Sequence, residues 1–127
     1  MHYEEFIHRV QEHLTLESRK EAVEVTEATL ETLSERLSRR GRQHLAAQLP
    51  IELKEFILKQ QTKSFFSLDE FCNLVTKRTG MRYHKAVKAV EVVIGVLREA
   101  ITEGELNDVL SELPNEYREL FHSAPAG

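Results

Sequence analysis

An internal duplication is the feature of this sequence that most constrains its fold. A series of residues in the first half recurs 64 residues later in the second half. The first series is Ala22-Val23, Glu27, Leu33, Glu35, Leu49-Pro50, Glu52 and Glu55, and the second is Ala86-Val87, Glu91, Leu97, Glu99, Leu113-Pro114, Glu116 and Glu119. Two repeats are too few for an open stack. The duplication therefore predicts one closed domain in which two similar halves share a core.

Composition limits the class of protein. The chain has 127 residues, which suits one domain, and its 41% hydrophobic and 30% charged residues are typical of a soluble folded protein. No signal-peptide pattern and no run of 18 apolar residues occurs, so we expect no membrane partner. The net charge of −4 is too mild to indicate a partner. Cys72 is the one cysteine, which excludes an intramolecular disulfide, and we expect a cytoplasmic location.

The spacing of apolar residues predicts about eight helices, four in each half. In the first half they cover about 3–14, a segment from a cap at Thr15 to about Ser38, about 42–48, and a segment that begins at Pro50. In the second half, the fifth helix begins after a capping box at Ser67 and Glu70, and the sixth covers about 82–101. The seventh begins after a capping box at Thr102 and Glu105, and the eighth begins at Pro114.

These elements define the predicted architecture. The fold class is all-α, with a single helical domain over residues 1–127. Two pseudo-symmetric four-helix repeats, about 3–58 and about 68–122, are joined by a connection over 59–67. Since none of the short amphipathic helices can hide its apolar face alone, we expect the repeats to be stable only together.

The second and sixth predicted helices differ in polarity. Thr29, Glu31 and Thr32 of the second correspond to Val93, Gly95 and Val96 of the sixth. The sixth helix is therefore apolar around more of its circumference, so it lies at the centre of the domain or meets another chain. We favour the centre. On the second helix we expect four glutamates to face water, namely Glu24, Glu27, Glu31 and Glu35.

Two groups of residues resemble those of a known family. The pattern Leu-Pro-x-Glu-(Leu/Tyr) occurs at Leu49-Pro50, after Ala46-Ala47-Gln48, and again at the start of 113–121, and residues 29–37 read TLETLSERL. Together they resemble the bacterial domain-of-unknown-function family 2267 (DUF2267) over about Tyr3 to Phe121. The resemblance implies a small, all-helical, two-lobed bacterial protein. It implies no established activity, cofactor or catalytic residue.

The Leu-Pro-x-Glu pattern has a structural explanation. Proline starts a helix without losing a hydrogen bond, and a glutamate two positions later lies where the helix dipole favours negative charge. The leucine before the proline is expected in the core. We therefore interpret both copies as helix starts rather than as a binding motif.

The sequence contains no recognisable catalytic motif. It has neither a glycine-rich phosphate loop nor a Gly-x-Ser-x-Gly turn. Cys72 occupies the position that matches Ile7, beside Phe71, which favours a small buried hydrophobe over a nucleophile. We name no catalytic residue and expect no cofactor.

Two pairs have the Glu-x-x-His spacing found in di-metal helical bundles, Glu5 with His8 and Glu119 with His122. The apolar stripe of the first helix directs Glu5 and His8 towards solvent, whereas ligands of a di-metal centre project into the core. We assign no metal ligand, and a metal-dependent enzyme is the most distant alternative.

Charge is unevenly distributed along the chain. No acidic residue occurs between Phe71 and Val90, and a second basic cluster follows residue 35. The predicted binding surface consists of Arg39, Arg40, Arg42, Lys77, Arg78, Arg82, Lys85 and Lys88. In the repeat alignment, Lys85 and Lys88 stand where Glu21 and Glu24 stand in the first half. Equivalent helix faces are thus predicted to carry opposite charge.

These charges suggest three alternatives. The basic surface binds a protein partner or a second copy of the chain, it binds nucleic acid or another anion, or it is a solvated face with weak ion pairs. Tyr83 is the one aromatic residue within the basic run, which disfavours stacking on single-stranded nucleic acid. Our functional hypothesis is a non-enzymatic bacterial interaction or adaptor module, with weak anion or nucleic-acid binding as the alternative.

Overall fold

The computed structural model describes residues 1–14, 18–59 and 62–123, and over these ranges it contains eight helices and no strand. The helices are α1 (Tyr3–Leu14), α2 (Arg19–Ser34), α3 (Arg39–Ala46), α4 (Ile51–Leu58), α5 (Leu68–Thr79), α6 (Tyr83–Ala100), α7 (Glu103–Ser111) and α8 (Asn115–Ser123). The predicted all-α class and the predicted number of helices are confirmed. The division into two pseudo-symmetric repeats stays a prediction.

The centre of the domain is formed by α2 and α6 together. Each of the two helices has nine buried residues. Three buried residues of α2 are threonines, and the hydroxyl of the fully covered Thr32 is satisfied because it donates to the Ala28 carbonyl at 2.7 Å. The central position expected for α6 is therefore observed, but α2 is as central despite its more polar sequence.

Two helices connect the halves of the chain. Helix α1 packs on both α2 and α6, and α5 also packs on both. Their core residues are completely covered, with Phe6 and Val10 on α1 and Phe71 and Val75 on α5 all 0% exposed. Helix α4 packs on α2, α8 packs on α6, and α3 packs on both α4 and α7. The core is therefore built from helices that cross between the halves.

Side-chain caps set where several helices begin. Helix α2 is capped by Ser18, whose hydroxyl accepts from the Glu21 amide at 3.2 Å, while the predicted cap Thr15 lies outside the described residues. Helix α3 begins earlier than the predicted residue 42 because Ser38 accepts from the Gly41 amide at 3.0 Å.

The predicted capping box of α5 is confirmed. Ser67 and Glu70 bond to each other's backbone amides, and Phe66 packs on Phe71 with ring centroids 6.3 Å apart. At α7 the predicted capping box is only half formed: Thr102 accepts from the Glu105 amide at 3.1 Å, but the Thr102 amide donates to Gln48 instead of Glu105. The second motif proline precedes α8 as predicted, and its glutamate, Glu116, accepts from the Leu68 amide in the first turn of α5.

Two further caps cross between α3 and α7. The Glu112 carboxylate at the end of α7 accepts from the Ser38 amide at 2.6 Å, at the start of α3. The Gln48 carbonyl oxygen after α3 accepts from the Thr102 amide at 2.8 Å, at the start of α7. Gln48 and Glu112 are 64 residues apart in the sequence, as are Ser38 and Thr102. Each short helix thus supplies the residue that caps the other.

Replacement of Leu97 by alanine tests the central position of α6. Leu97 is 0% exposed, so Leu97→Ala removes buried methyl groups and leaves a cavity. The expected loss in the free energy of unfolding is about 2–5 kcal/mol, measured by urea denaturation. A loss below about 1 kcal/mol would contradict the packing described for this helix.

Candidate functional site

The eight basic residues predicted as a surface do not share one environment. Arg42 is 3% exposed, and its Nη1 donates to the Leu37 carbonyl at 2.6 Å and to the Ser34 carbonyl at 3.3 Å. Ser34 is the last residue of α2 and Leu37 lies three residues beyond it, and α2 has no basic residue of its own in its last turn. Arg42 therefore satisfies the end of α2 and does not contribute to an exposed basic surface.

Arg78 is also engaged within the protein. Its guanidinium donates to the Thr32 hydroxyl at 2.6 Å and to the Glu35 carboxylate at 2.5 Å, and it lies 4.0 Å from Glu31. The Glu31 and Glu35 side chains are only 19% and 12% exposed. The expectation that these two glutamates face water is wrong, because α5 brings Arg78 over them. Arg78 joins α5 to α2.

The other predicted basic residues are exposed, but they lie on different elements. Arg39 and Arg40 occupy the first turn of α3, and Lys77 is near the end of α5. Three remain at the start of α6 and along it, Arg82, Lys85 and Lys88. Half of these six exposed residues therefore lie at α6.

Arg82 and Lys85 form one wall of an open groove of about 600 Å³, and Glu21 and Glu24 of α2 form the opposite wall. The turn between α5 and α6 shapes this groove. Gly80 ends α5 in the left-handed conformation, with φ of 77°, which favours glycine because other residues are strained there. This turn brings the start of α6 alongside the start of α2.

The charged side chains of this groove form no ion pairs among the described residues. Across the described residues, no ion pair within 4.0 Å involves Glu21, Glu24, Arg82 or Lys85. All four residues are exposed. We call these four residues the charged groove. Glu21 and Lys85, which correspond in the repeat alignment, thus line one opening, whereas Lys88, which corresponds to Glu24, is not among its lining residues.

Arg36 is a buried charge that the predicted surface did not include. It is 3% exposed, its Nη1 donates to the Ser64 carbonyl at 2.8 Å, and its guanidinium lies over the rings of Phe65, Phe66 and Tyr117 at 5.4–5.6 Å. Arg36 thereby attaches the end of the connection to the core, which is a structural role.

Tyr117 supports the same attachment. Its hydroxyl donates to the Phe66 carbonyl at 2.9 Å or the Ser67 carbonyl at 3.0 Å, and burial raises the pKa of the phenol to about 12 despite the lowering effect of Arg36. The phenol therefore stays a neutral donor throughout the physiological pH range.

One cluster of chemically capable side chains was missed in the sequence. His44 of α3 and Glu105 and Asp108 of α7 each place a possible ligand atom within 4.8 Å of the others. Glu105 is 5% exposed, and burial raises the pKa of its carboxyl, with Asp108 raising it further and His44 lowering it. His44 and Asp108 are 64 residues apart, so the repeat alignment, combined with contact between α3 and α7, could have indicated this cluster.

The residues considered for metal or nucleophilic chemistry lie elsewhere. The Glu5 carboxylate pairs with Arg9 at 2.8 Å and His8 pairs with Glu12 at 3.1 Å, both near the solvent side of α1 as expected. His122 is exposed at the end of α8. Cys72 is 4% exposed, and burial raises the pKa of its thiol to about 11, which suits the predicted small hydrophobe.

The fold and its sites define an all-α domain with two central helices, a charged groove and a cluster of His44, Glu105 and Asp108 between α3 and α7. The chain belongs to the DUF2267 family, whose model, described as "Uncharacterized conserved protein (DUF2267)", matches residues 3–120. The resemblance noted in the sequence is thus confirmed over nearly the whole chain. No curated protein matches the chain. Among the helices of the described residues, none combines the length and apolarity needed to cross a bilayer.

Adjacent basic residues of α5 provide a matched pair for testing the role of Arg78. Arg78→Met leaves the mostly covered Glu35 carboxylate unpaired, so we expect a loss of about 1–2 kcal/mol in the free energy of unfolding. Lys77→Met changes the same charge at an exposed position, and we expect a change within about 0.5 kcal/mol. Urea denaturation of both variants checks this, and equal losses would contradict a structural role for Arg78.

The raised pKa of Cys72 predicts slow alkylation in the folded protein. A pKa near 11 instead of the ordinary 9.0 lowers the thiolate fraction at pH 8 by about a hundredfold, and burial slows access further. Iodoacetamide labelling followed by mass spectrometry should therefore be at least about a hundredfold slower in the native than in the urea-unfolded chain. Similar rates would show that Cys72 is accessible and reactive.

Proposed function

We propose that this protein is a non-enzymatic interaction module that acts through the charged groove, and that the partner occupying the groove is a second copy of the chain. The observation that carries this proposal is the set of four exposed, unpaired charges on the two walls of one opening. A bacterial, cytoplasmic adaptor of this kind also agrees with the functional hypothesis drawn from the sequence.

The groove contrasts with other charged contacts in the molecule. Where opposite charges from distant parts of the chain can meet, they do so, as in Arg9 with Glu99 at 2.5 Å and Arg19 with Glu4 at 2.6 Å. In the charged groove the two signs face each other without an ion pair. A partner can therefore pair with these charges without first breaking an ion pair within the protein.

A second copy is favoured because the groove carries both signs side by side. In a two-fold dimer, the same patch of each subunit meets its equivalent, so a patch must be complementary to itself. The acidic wall of α2 on one copy can face the basic wall of α6 on the other, and the reverse contact forms at the same time. Such an arrangement gives orientation and specificity through charge.

The alternative of nucleic-acid or anion binding has less support. Arg42 and Arg78 are engaged within the fold, and the remaining basic residues at the groove face Glu21 and Glu24. An acidic wall opposite Arg82 and Lys85 repels a phosphate backbone. No catalytic geometry in the described residues favours an enzyme.

Reciprocal charge reversal tests the proposal. One variant carries Arg82→Glu and Lys85→Glu, and the other carries Glu21→Lys and Glu24→Lys. We expect the wild type to dimerise at low salt and to dissociate at about 1 M salt, where the Debye length is about 3 Å. Each variant alone should be monomeric because both walls of its groove carry charge of the same sign. An equimolar mixture of the two variants should form heterodimers. Light scattering measures the mass of the wild type at both salt concentrations, of each variant alone and of the mixture.

The matched control carries Arg39→Glu and Arg40→Glu, which changes the net charge as much as the first variant does but at exposed positions of α3. It should dimerise like the wild type. A wild-type protein that is monomeric at low salt, or a dimer that both groove variants preserve, would overturn the proposal. Unchanged helicity by circular dichroism confirms that each variant is folded.

A further inference from the structure

The contact between α3 and α7 brings together three side chains that suit a divalent cation. His44 offers an imidazole nitrogen, and Glu105 and Asp108 each offer a carboxylate oxygen, with these atoms all within 4.8 Å of one another. The three side chains line a cavity of about 190 Å³ between the two helices. Glu105 and Asp108 are three residues apart, which places them on the same face of α7.

Glu105 provides an independent indication of a ligand. Its side chain is 5% exposed, and its Oε2 is buried without a hydrogen-bond partner. A buried carboxylate oxygen without a donor is costly, because water no longer solvates it. His44 and Asp108, by contrast, are exposed. The side chain that carries this unpartnered oxygen therefore lines the same cavity as two exposed possible ligands.

We infer that His44, Glu105 and Asp108 form a binding site for a divalent transition cation of the Zn²⁺ class. One imidazole and two carboxylates are ligand types that Zn²⁺ accepts, and three protein ligands leave a coordination position for water. The cation supplies the partner that the buried Glu105 oxygen lacks. This inference is independent of the proposed self-association through the charged groove.

The neighbouring charges limit the ligand set to these three residues. Glu112 also lines the cavity, but its carboxylate accepts from the Ser38 amide at 2.6 Å and lies 3.7 Å from the Lys63 ammonium. Arg40 is the cationic residue on the cavity wall. Glu112 is therefore engaged by Ser38 and Lys63, while the possible ligand atoms of the other three residues lie within 4.8 Å of one another.

A cation at this position would join the two halves of the chain. His44 belongs to the first predicted repeat, and Glu105 and Asp108 belong to the second. Because α3 and α7 also cap each other through Gln48 and Glu112, the cation would reinforce a contact that already exists. Binding to the folded state alone raises stability in proportion to the logarithm of cation concentration.

The experiment uses the untagged, chelator-treated full chain and Zn²⁺ as the probe. Isothermal titration calorimetry should show saturable binding of one Zn²⁺ per chain, and Zn²⁺ should raise the melting temperature. His44→Ala and Glu105→Gln should each weaken binding by at least about tenfold, a loss that even outer-shell partners of metal ligands can cause. Ca²⁺, which prefers all-oxygen sites, should not compete at equal concentration.

The matched control is His8→Ala, which removes an exposed histidine that also lies beside a carboxylate, Glu12 at 3.1 Å. It should bind Zn²⁺ like the wild type. Glu105→Gln keeps the shape of the side chain, and the folding of this variant is checked by circular dichroism without metal. Absence of saturable binding, or equal affinity in wild type, His44→Ala and Glu105→Gln, would overturn the inference.

Discussion

Burial of α2 and α6 by helices from the opposite half is the interaction on which the rest of the structure depends. Helix α1 covers α6 as well as its own neighbour α2, and α5 covers α2 as well as α6. Short amphipathic helices are only marginally stable in isolation, and most of their stability comes from packing an apolar face. Since each half completes the core of the other, the helices can be short without the domain being loose.

This shared core determines where polar side chains are needed. The ends of central and peripheral helices meet residues from far along the chain, so Arg42 satisfies α2, Glu112 caps α3 and Gln48 caps α7. Arg78 covers glutamates of α2 in the same way. Much of the charge in the sequence is therefore structural. Among the described residues, the charged groove stands out because its charges form no ion pair, and the cluster around Glu105 because an oxygen of that carboxylate has no partner.

The fold was largely predictable because apolar spacing, proline positions and caps are local in sequence. The candidate site was less predictable, because basic residues that are close in sequence can have different surroundings. Arg40 is exposed whereas Arg42 is buried. Arg78 donates to Thr32, whereas the adjacent Lys77 makes no such contact. Which arginine turns inward depends on carbonyls and carboxylates contributed by other helices. The cluster of His44 with Glu105 required knowledge that α3 touches α7, a contact between distant segments.

The crossing of α1 and α5 also bears on how such a sequence can diverge. A polypeptide with only one of the two halves would lack the helix that covers its central helix, so it could fold only as a pair of identical chains. In such a pair, every residue occurs twice, and a substitution changes both places at once. Joining the halves in one chain removes that restriction. Glutamate can then stand at 21 opposite lysine at 85, and histidine at 44 beside aspartate at 108, in one asymmetric molecule.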